Sequence, residues 1–474
     1  MGVGPINVLY PAFMFIGLFD DPSPRFQVLR HGIKEGPLCS SLLLLVIKSQ
    51  LTGNFTPKSQ QKIFAITLPR KLNMKPRHLL PVSILSCALA ADTGDVVGKV
   101  VAGYQCWFAV GQDTSDPYDA WFHWGNGTAS DITFDLWPDT TELTQTYQWD
   151  TNAKLGNGDP AVLYDCTDQS TVDTQFSWMV QYGIDTTALQ RFGTNVYGSA
   201  DSTARTNLAL ERVVSAAEKY NHKFYVEWDI SGWDDFTTQL PEDWENTVKN
   251  VTTSSAYATQ DGKPVIAVYG FGVEGRPGTP AQALDTINYL KDAGLYVIVV
   301  SRVQWNTFNE SWIPVWQAVD MIGPWTVGAY NGTTQAAEYL TTLESDFAWC
   351  NENGVAYQPV VFPGWSAHYL APTTNAENTF PRDSGHLMWQ QFVNIRQAGI
   401  GNVFIAMFDE YDEGTAIAKA ATNSTMAPSD VWFLTLDADG TEMSSDFYLR
   451  LTDSGGQMMK GEIALTTDIP ISYN

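Results

Sequence analysis

Eight short apolar runs, each divided from the next by a stretch of helical composition, limit the fold of this chain more than any other feature. They are VVAGYQCWF at 100–108, GIDTTALQRF at 183–192, KFYVEWDIS at 223–231, KPVIAVYGFG at 263–272, YVIVVS at 296–301, VDMIGPWTV at 319–327, YQPVVFPGW at 357–365 and NVFIAMFDE at 402–410. Between them lie segments such as ARTNLALERVVSAAEKY at 204–220, whose apolar residues recur at the helical period. The segment PAQALDTINYLKDAG at 280–294 opens on Pro and closes on Gly, and a further helix near 241–256 opens on Pro241-Glu242. Strands alternating with helices imply a parallel sheet. Near-continuous apolar runs imply strands buried on both faces. Eight such units point to an α/β fold, a (β/α)8 TIM barrel. The competing architecture is an open doubly wound sheet, but no G-x-G-x-x-G follows a strand. Residues 109–170 carry few helical signals and read as an elaborated loop after the first strand. The stretch SSDFYLRLTDSGGQMM at 444–459 supplies a last helix.

The N-terminal ninety residues differ from the rest. They hold 10 Lys and Arg against 3 Asp and Glu, so of the chain's 27 basic and 52 acidic residues the remainder keeps 17 and 49, a charge of −32. A polyanion of that kind excludes nucleic acid as a partner, and an anionic membrane surface repels it. Residues 1–73 show no period and read as a non-native or disordered extension. From Met74 a basic start, an apolar middle and Ala88-Leu89-Ala90 form a secretory signal over 74–90, with the mature barrel over 91–474. The expected location is therefore extracellular. Sequons at Asn126, Asn250, Asn309, Asn331 and Asn423 agree with a glycoprotein, and the oxidising route permits one disulfide, for which Cys106–Cys166 is the expected pair.

A barrel carries its active site at the C-terminal ends of its strands. Those ends hold Tyr104 and Trp107 on the first run, Arg191 on the second, Asp229 on the third, Trp325 on the sixth, and Trp365 with His368 beyond on the seventh. The eighth run leads straight into Asp409, Glu410, Asp412 and Glu413. Glu410 and Glu413, three places apart, can reach one side of a cleft. Two close carboxylates cannot both ionise cheaply, so one is held protonated and an acid and a base coexist. That is the requirement of glycosidic cleavage. An acidic cluster in so charged a chain can also be solvated surface or a Ca²⁺ loop, although the EF-hand spacing D-x-[DN]-x-[DN]-G is absent. No H-E-x-x-H occurs, and His123 and His368 read as structural or sugar-contacting residues, so neither a metal nor a cofactor is expected. The 17 tryptophans suit a core, and they also suit sugar stacking.

In order along the chain, GYQCWF, DAWFHW, FDLWPD, YGIDTTALQRF, EWDISGW, GKPVIAVYGFG, PWTVG, VVFPGWS and MFDEYDEGTAI resemble the glycoside hydrolase family 99 and family 71-related group, typified by endo-α-mannosidases. The resemblance runs from about residue 100 to 455 and lies closest to an uncharacterised fungal and bacterial subgroup. It implies a metal-free barrel and retaining endo-cleavage of α-linked glycans, α-mannan- or α-glucan-like. By position, Glu410 is implied to deprotonate the substrate's own 2-hydroxyl, which attacks C1. Glu413 is implied to be the general acid/base. Tyr104, Trp107, Arg191, Asp229, Trp325, Trp365, His368 and Asp409 are the expected substrate-binding residues, and the partner is an oligo- or polysaccharide. A non-catalytic glycan-binding barrel of the cell surface or wall is the alternative from a different class.

Overall fold

The computed structural model describes residues 94–111 and 121–474. The extension over 1–73 and the signal over 74–90 lie outside the described residues. Eight parallel strand positions make one sheet: β1 Val100–Tyr104, β2 Thr186–Phe192, β3 Lys223–Asp229, β4 Lys263–Tyr269, β5 Tyr296–Arg302, β6 Met321–Trp325, β7 in two pieces (Ala356–Tyr357 and Val360–Val361), and β8 Val403–Ile405. Each of β2 to β6 pairs with its chain predecessor, and β1 pairs with both β2 and β8. The first piece of β7 bonds β6 and the second bonds β8, which closes the ring.

Helices fill the crossovers: α1 Gln169–Gln181, α2 Ala200–Tyr220, α3 Phe236–Asp243, α4 Pro280–Asp292, α5 Ile313–Ala318, α6 Leu340–Asn353, α7 His386–Gln397 and α8 Phe447–Lys460. Their ends follow local chemistry. Ser199 caps α2 by accepting from the Ser202 amide, and α4 opens on a Thr279–Gln282 capping box with Pro280 in its first turn. Gly354 closes α6 at φ 70°, a left-handed conformation that needs no Cβ. The helix expected to open at Pro241 starts five residues earlier, at Phe236. Pro241 sits inside it, and a π turn over Trp244–Val248 follows. Proline brings no amide hydrogen, and the looser turn accommodates that gap.

Burial is nearly complete along the strands, so their residues show no in–out alternation in polarity. Side-chain partners reveal the parity instead. Gln190 and Glu227 meet inside the ring beside Met407, whereas Arg191 and Trp228 meet Asp243 in the helical layer. Gly103 also points inward, where a Cβ would collide with Met407 and Phe404. The described residues of 109–168 form the elaborated loop, with an antiparallel pair Tyr147–Gln148 and Val162–Leu163. Among the described residues no helix is long and apolar enough to cross a membrane.

Candidate active site

β8 ends at Ile405, and residues 406–408 run on at the C-terminal rim, the Ala406 amide donating to the Val361 carbonyl of β7 at 2.9 Å and the Phe408 amide to the Gly103 carbonyl of β1 at 2.7 Å. The chain then turns at 409–413 and returns, with the Ile417 amide donating to the Met407 carbonyl at 3.0 Å and the Ala418 amide to the Phe408 carbonyl at 2.9 Å. This places four acids on one tight loop above the barrel mouth. They are not solvated surface: Asp409, Glu410 and Asp412 are 1, 4 and 3 % exposed. Glu413 is half-buried and keeps an open side.

Each acid has a distinct partner set. Asp409 bolts the loop to the end of β1, its two oxygens accepting from the Gln105 and Cys106 amides at 2.7 and 2.9 Å. Burial still pushes its carboxyl up to about 7. Glu410 accepts from the Gln105 side-chain amide at 3.0 Å and from the Asp412 and Glu413 amides at 3.0 and 3.4 Å. Three donors orient it as an acceptor, while burial first, then the charges of Glu413 and Asp409, raise its pKa well above the ordinary value. Glu413 accepts from the Trp365 indole at 3.1 Å. Burial raises its pKa too, against the pull of the Trp365 bond and of the Arg276 cation. Asp412 pairs with His123.

Below the loop, the inner face of the ring adds Glu227 and Asp229. Burial lifts Glu227 to about 8 and Asp229 to about 6, the latter opposed by hydrogen bonds from Ser231 and by Arg276. The Tyr269 hydroxyl feels Asp229, Arg276 and Glu413 together, and its ring meets Trp325 edge-on at 5.4 Å. Trp365, Arg276 and Tyr269 thus bear on Glu413, and Asp229 and Trp325 bear on Tyr269 in turn. A neighbouring cavity of about 200 Å³ is lined by Gln105, Trp107, Gln190, Phe192 and Arg205. Among the described residues no group of three His, Cys, Asp or Glu side chains has the geometry to hold a metal ion.

The structure does not gather every residue singled out in the sequence. Glu410, Glu413, Asp229, Trp325 and Trp365 share the rim. Trp107 lines the side cavity, stacked at 3.7 Å on His123. Asp409 spends both oxygens on the β1 backbone. Tyr104 is fully buried and donates its hydroxyl to Gln175 of α1, outside the ring. Arg191 is 1 % exposed and makes a two-pronged pair with Asp243, both contacts at 2.7 Å, in the helical layer. His368 anchors a loop, with Nδ1 2.9 Å from the Asn375 carbonyl and its amide donating to Asp135 at 2.8 Å. Cys106 and Cys166, expected as a disulfide, are free thiols, as is Cys350. The Cys106 thiol stands 3.4 Å from the Cys166 carbonyl oxygen. Gln105, Tyr269 and Arg276 were not singled out as site residues, and His123 was read as structural or sugar-contacting. Arg276 had one legible signal, a lone cation in the Gly- and Pro-rich stretch that directly follows β4.

The sequence matches no family model and no curated protein. The fold does find counterparts. The structure of the GH99 endo-alpha-mannosidase from Bacteroides thetaiotaomicron superposes with a TM-score of 0.57 at 15% identity, over 77% of this chain and 98% of that one. A second structure of that GH99 endo-alpha-mannosidase, in complex with BIS-TRIS-Propane, gives 0.57 at 16% identity over the same shares. The chain is a barrel related in fold to the GH99 endo-alpha-mannosidases. At such identities the likeness is one of architecture.

Proposed function

We propose that this chain is a retaining glycoside hydrolase that cleaves internal bonds of α-linked glycans, and of the two types expected from the sequence the α-mannan type is the one its mechanism fits. The observation that carries the reading is the pairing of a buried, triply hydrogen-bonded Glu410 with a half-open Glu413 on one loop over the barrel mouth. Both lie in a field that keeps at least one proton on the pair.

Their surroundings divide the roles. Glu410 is held by donors, as a base must be before it takes a proton. It accepts the proton of the sugar 2-hydroxyl, and that oxygen attacks C1 from the face opposite the leaving group, which an α-mannoside allows because its 2-oxygen is trans to the leaving group and an α-glucoside, with the two cis, does not. Glu413, open to the cleft and steadied by Trp365, delivers a proton to the departing glycosidic oxygen. A 1,2-anhydro sugar remains. Glu413, now ionised, deprotonates a water that opens the ring at C1, while Glu410 returns the proton to the 2-hydroxyl. Two inversions retain configuration. Trp325 and Tyr269 offer flat apolar faces to the sugar. Asp229 and Arg276 offer polar contacts beside Glu413.

The route through the secretory pathway is part of the same proposal, and N-terminal sequencing of protein collected from medium tests it. A first residue well before Ala91 would reject the cleavage site. The catalytic reading is tested with a panel of α-linked glycans and product analysis, comparing wild type with Glu410→Gln and Glu413→Gln. We expect turnover to be abolished in both, with melting temperatures close to wild type. Unchanged activity in Glu413→Gln rejects the assignment.

A further inference from the structure

The acid loop contains one carboxylate too many. A glycosidase pair needs Glu410 and Glu413, and Asp409 is consumed by the β1 backbone. Asp412 is left, 3 % exposed, wedged between the two catalytic glutamates, with its Oδ1 buried and without a hydrogen-bond partner. Its other oxygen, Oδ2, stands 2.5 Å from Nδ1 of His123. His123 comes from the long loop after β1, 289 residues away in the chain. Its backbone adopts φ 61°, a left-handed conformation that costs a side-chain-bearing residue energy. It is clamped by rings: Trp107 stacks flat on it at 3.7 Å, and Phe122 and Phe108 stand edge-on at 4.4 and 5.8 Å.

We propose that His123 is a positioning residue for the glycosidase chemistry, taking Asp412 out of the charge balance of the acid loop by sharing one proton with it, so that Glu410 and Glu413 hold the only mobile proton over the cleft. The inference rests on the catalytic reading above. The charged groups that bear on the pair agree with it. Desolvation first, then the charge of Arg205 of α2, holds the imidazole down to about 3, so a second ring proton is resisted. Burial, then Glu410, Glu413, Asp135 and Asp409, push the Asp412 carboxyl well up. The geometry points the same way: with Oδ1 buried and unpartnered, Nδ1 at 2.5 Å is the acceptor for a proton on Oδ2, so the pair is neutral with the Asp412 hydroxyl donating to Nδ1, and removing His123 strips the protonated form of that acceptor. Were Asp412 ionised instead, a negative charge one residue from Glu413 and two from Glu410 would raise both of their pKa values and stop Glu410 from acting as a base at neutral pH.

The experiment compares wild type, His123→Ala, His123→Gln, and His123→Ala combined with Asp412→Asn. Activity is read as new reducing ends from soluble α-mannan and α-glucan across pH. We expect His123→Ala to lower kcat by roughly tenfold or more, with KM little changed, and to move the acid limb of kcat/KM to higher pH. His123→Gln, which keeps a side-chain amide in reach of Asp412, recovers part of the loss. Adding Asp412→Asn, which deletes the charge and keeps the shape, returns the limb to its wild-type position. Were His123 only packing, the double variant would be no better than His123→Ala and the limb would not move; that result overturns the proposal. If wild type cleaves neither glycan, the catalytic reading fails on its own account. The pair is then judged by infrared spectroscopy at neutral pH, where a protonated-carboxyl band present in wild type disappears in Asp412→Asn. Absence of that difference overturns the neutral pair.

Discussion

Arg191 offers the sharpest test of how this molecule is held together, because it sits at a strand end where a substrate contact was expected and is packed away from the cleft. Its guanidinium makes contacts of 2.7, 2.7 and 2.8 Å, two to Asp243 and one to Asn207, and Asp243 also accepts from the Trp228 indole at 2.8 Å. Replacing Asp243 by Asn keeps the shape and removes the charge. The guanidinium then lies 1 % exposed with no counter-ion. Breaking one side of such a buried pair costs about 3–5 kcal/mol, which for a barrel of this size corresponds to a fall in Tm of roughly 4–6 °C. The assay is reversible denaturant unfolding, with thermal scans beside it. The companion variant carries Arg191→Met and Asp243→Leu together. It removes both charges and restores apolar packing, so it should regain most of the loss, short of about 1–2 kcal/mol for the Trp228 indole left without an acceptor. Neither change should alter KM for a glycan the wild type cleaves. A double variant as unstable as the sum of its parts would refute the charge argument. A KM shift at full stability would return Arg191 to the substrate.

Three further outcomes follow from the geometry. Glu227 is protonated in the fold up to about pH 8 and ionises from 4.5 in the unfolded chain, so the unfolded state binds fewer protons in that window. Stability therefore falls as pH rises from about 4.5 to 8, and Glu227→Gln flattens that decline in a Tm-against-pH series. Asp135, fully buried, accepts from the Ser366 hydroxyl at 2.6 Å and from the His368 and Tyr369 amides at 2.8 and 2.9 Å. Asp135→Ala strands three donors, costs about 3 kcal/mol or more in denaturant unfolding, and loosens the loop that carries Trp365. Finally, peptides containing Cys106 and Cys166 should be alkylated after denaturation without reductant, as mass spectrometry of the digest will show; a linked pair of peptides would refute the free-thiol arrangement.

The barrel was legible because its signals are local and repeated. Each helix from α1 to α8 except α3 and α5 lies on a stretch whose apolar period or caps mark it, and each strand falls within a residue of an apolar run. Boundaries were less legible where backbone partners decide them. The eighth run reads as a strand through Phe408, but β8 stops at Ile405, because Met407 and Phe408 also bond the returning segment at Thr415–Ala418. The seventh run is two pieces, because its halves bond different neighbours. Site residues divide along the same line. Glu410 and Glu413 were legible as neighbours in sequence. Tyr104 and Arg191 were assigned to the cleft because a strand buried on both faces shows no alternation from which its inward residues can be read. His123 and Arg276 reach the acids from loops far away in the chain, and nothing in their local sequence sets where those loops fold.

By itself, then, the sequence determined the class of architecture, the order of its eight units and the acidic rim, since periodicity and composition act over a few residues at a time. Only the tertiary structure decided which strand faces look inward, which acid is bolted, paired or open, and which distant cation and imidazole balance them. Those outcomes depend on desolvation and on charges brought together from across the chain, and both come into being only when the ring closes.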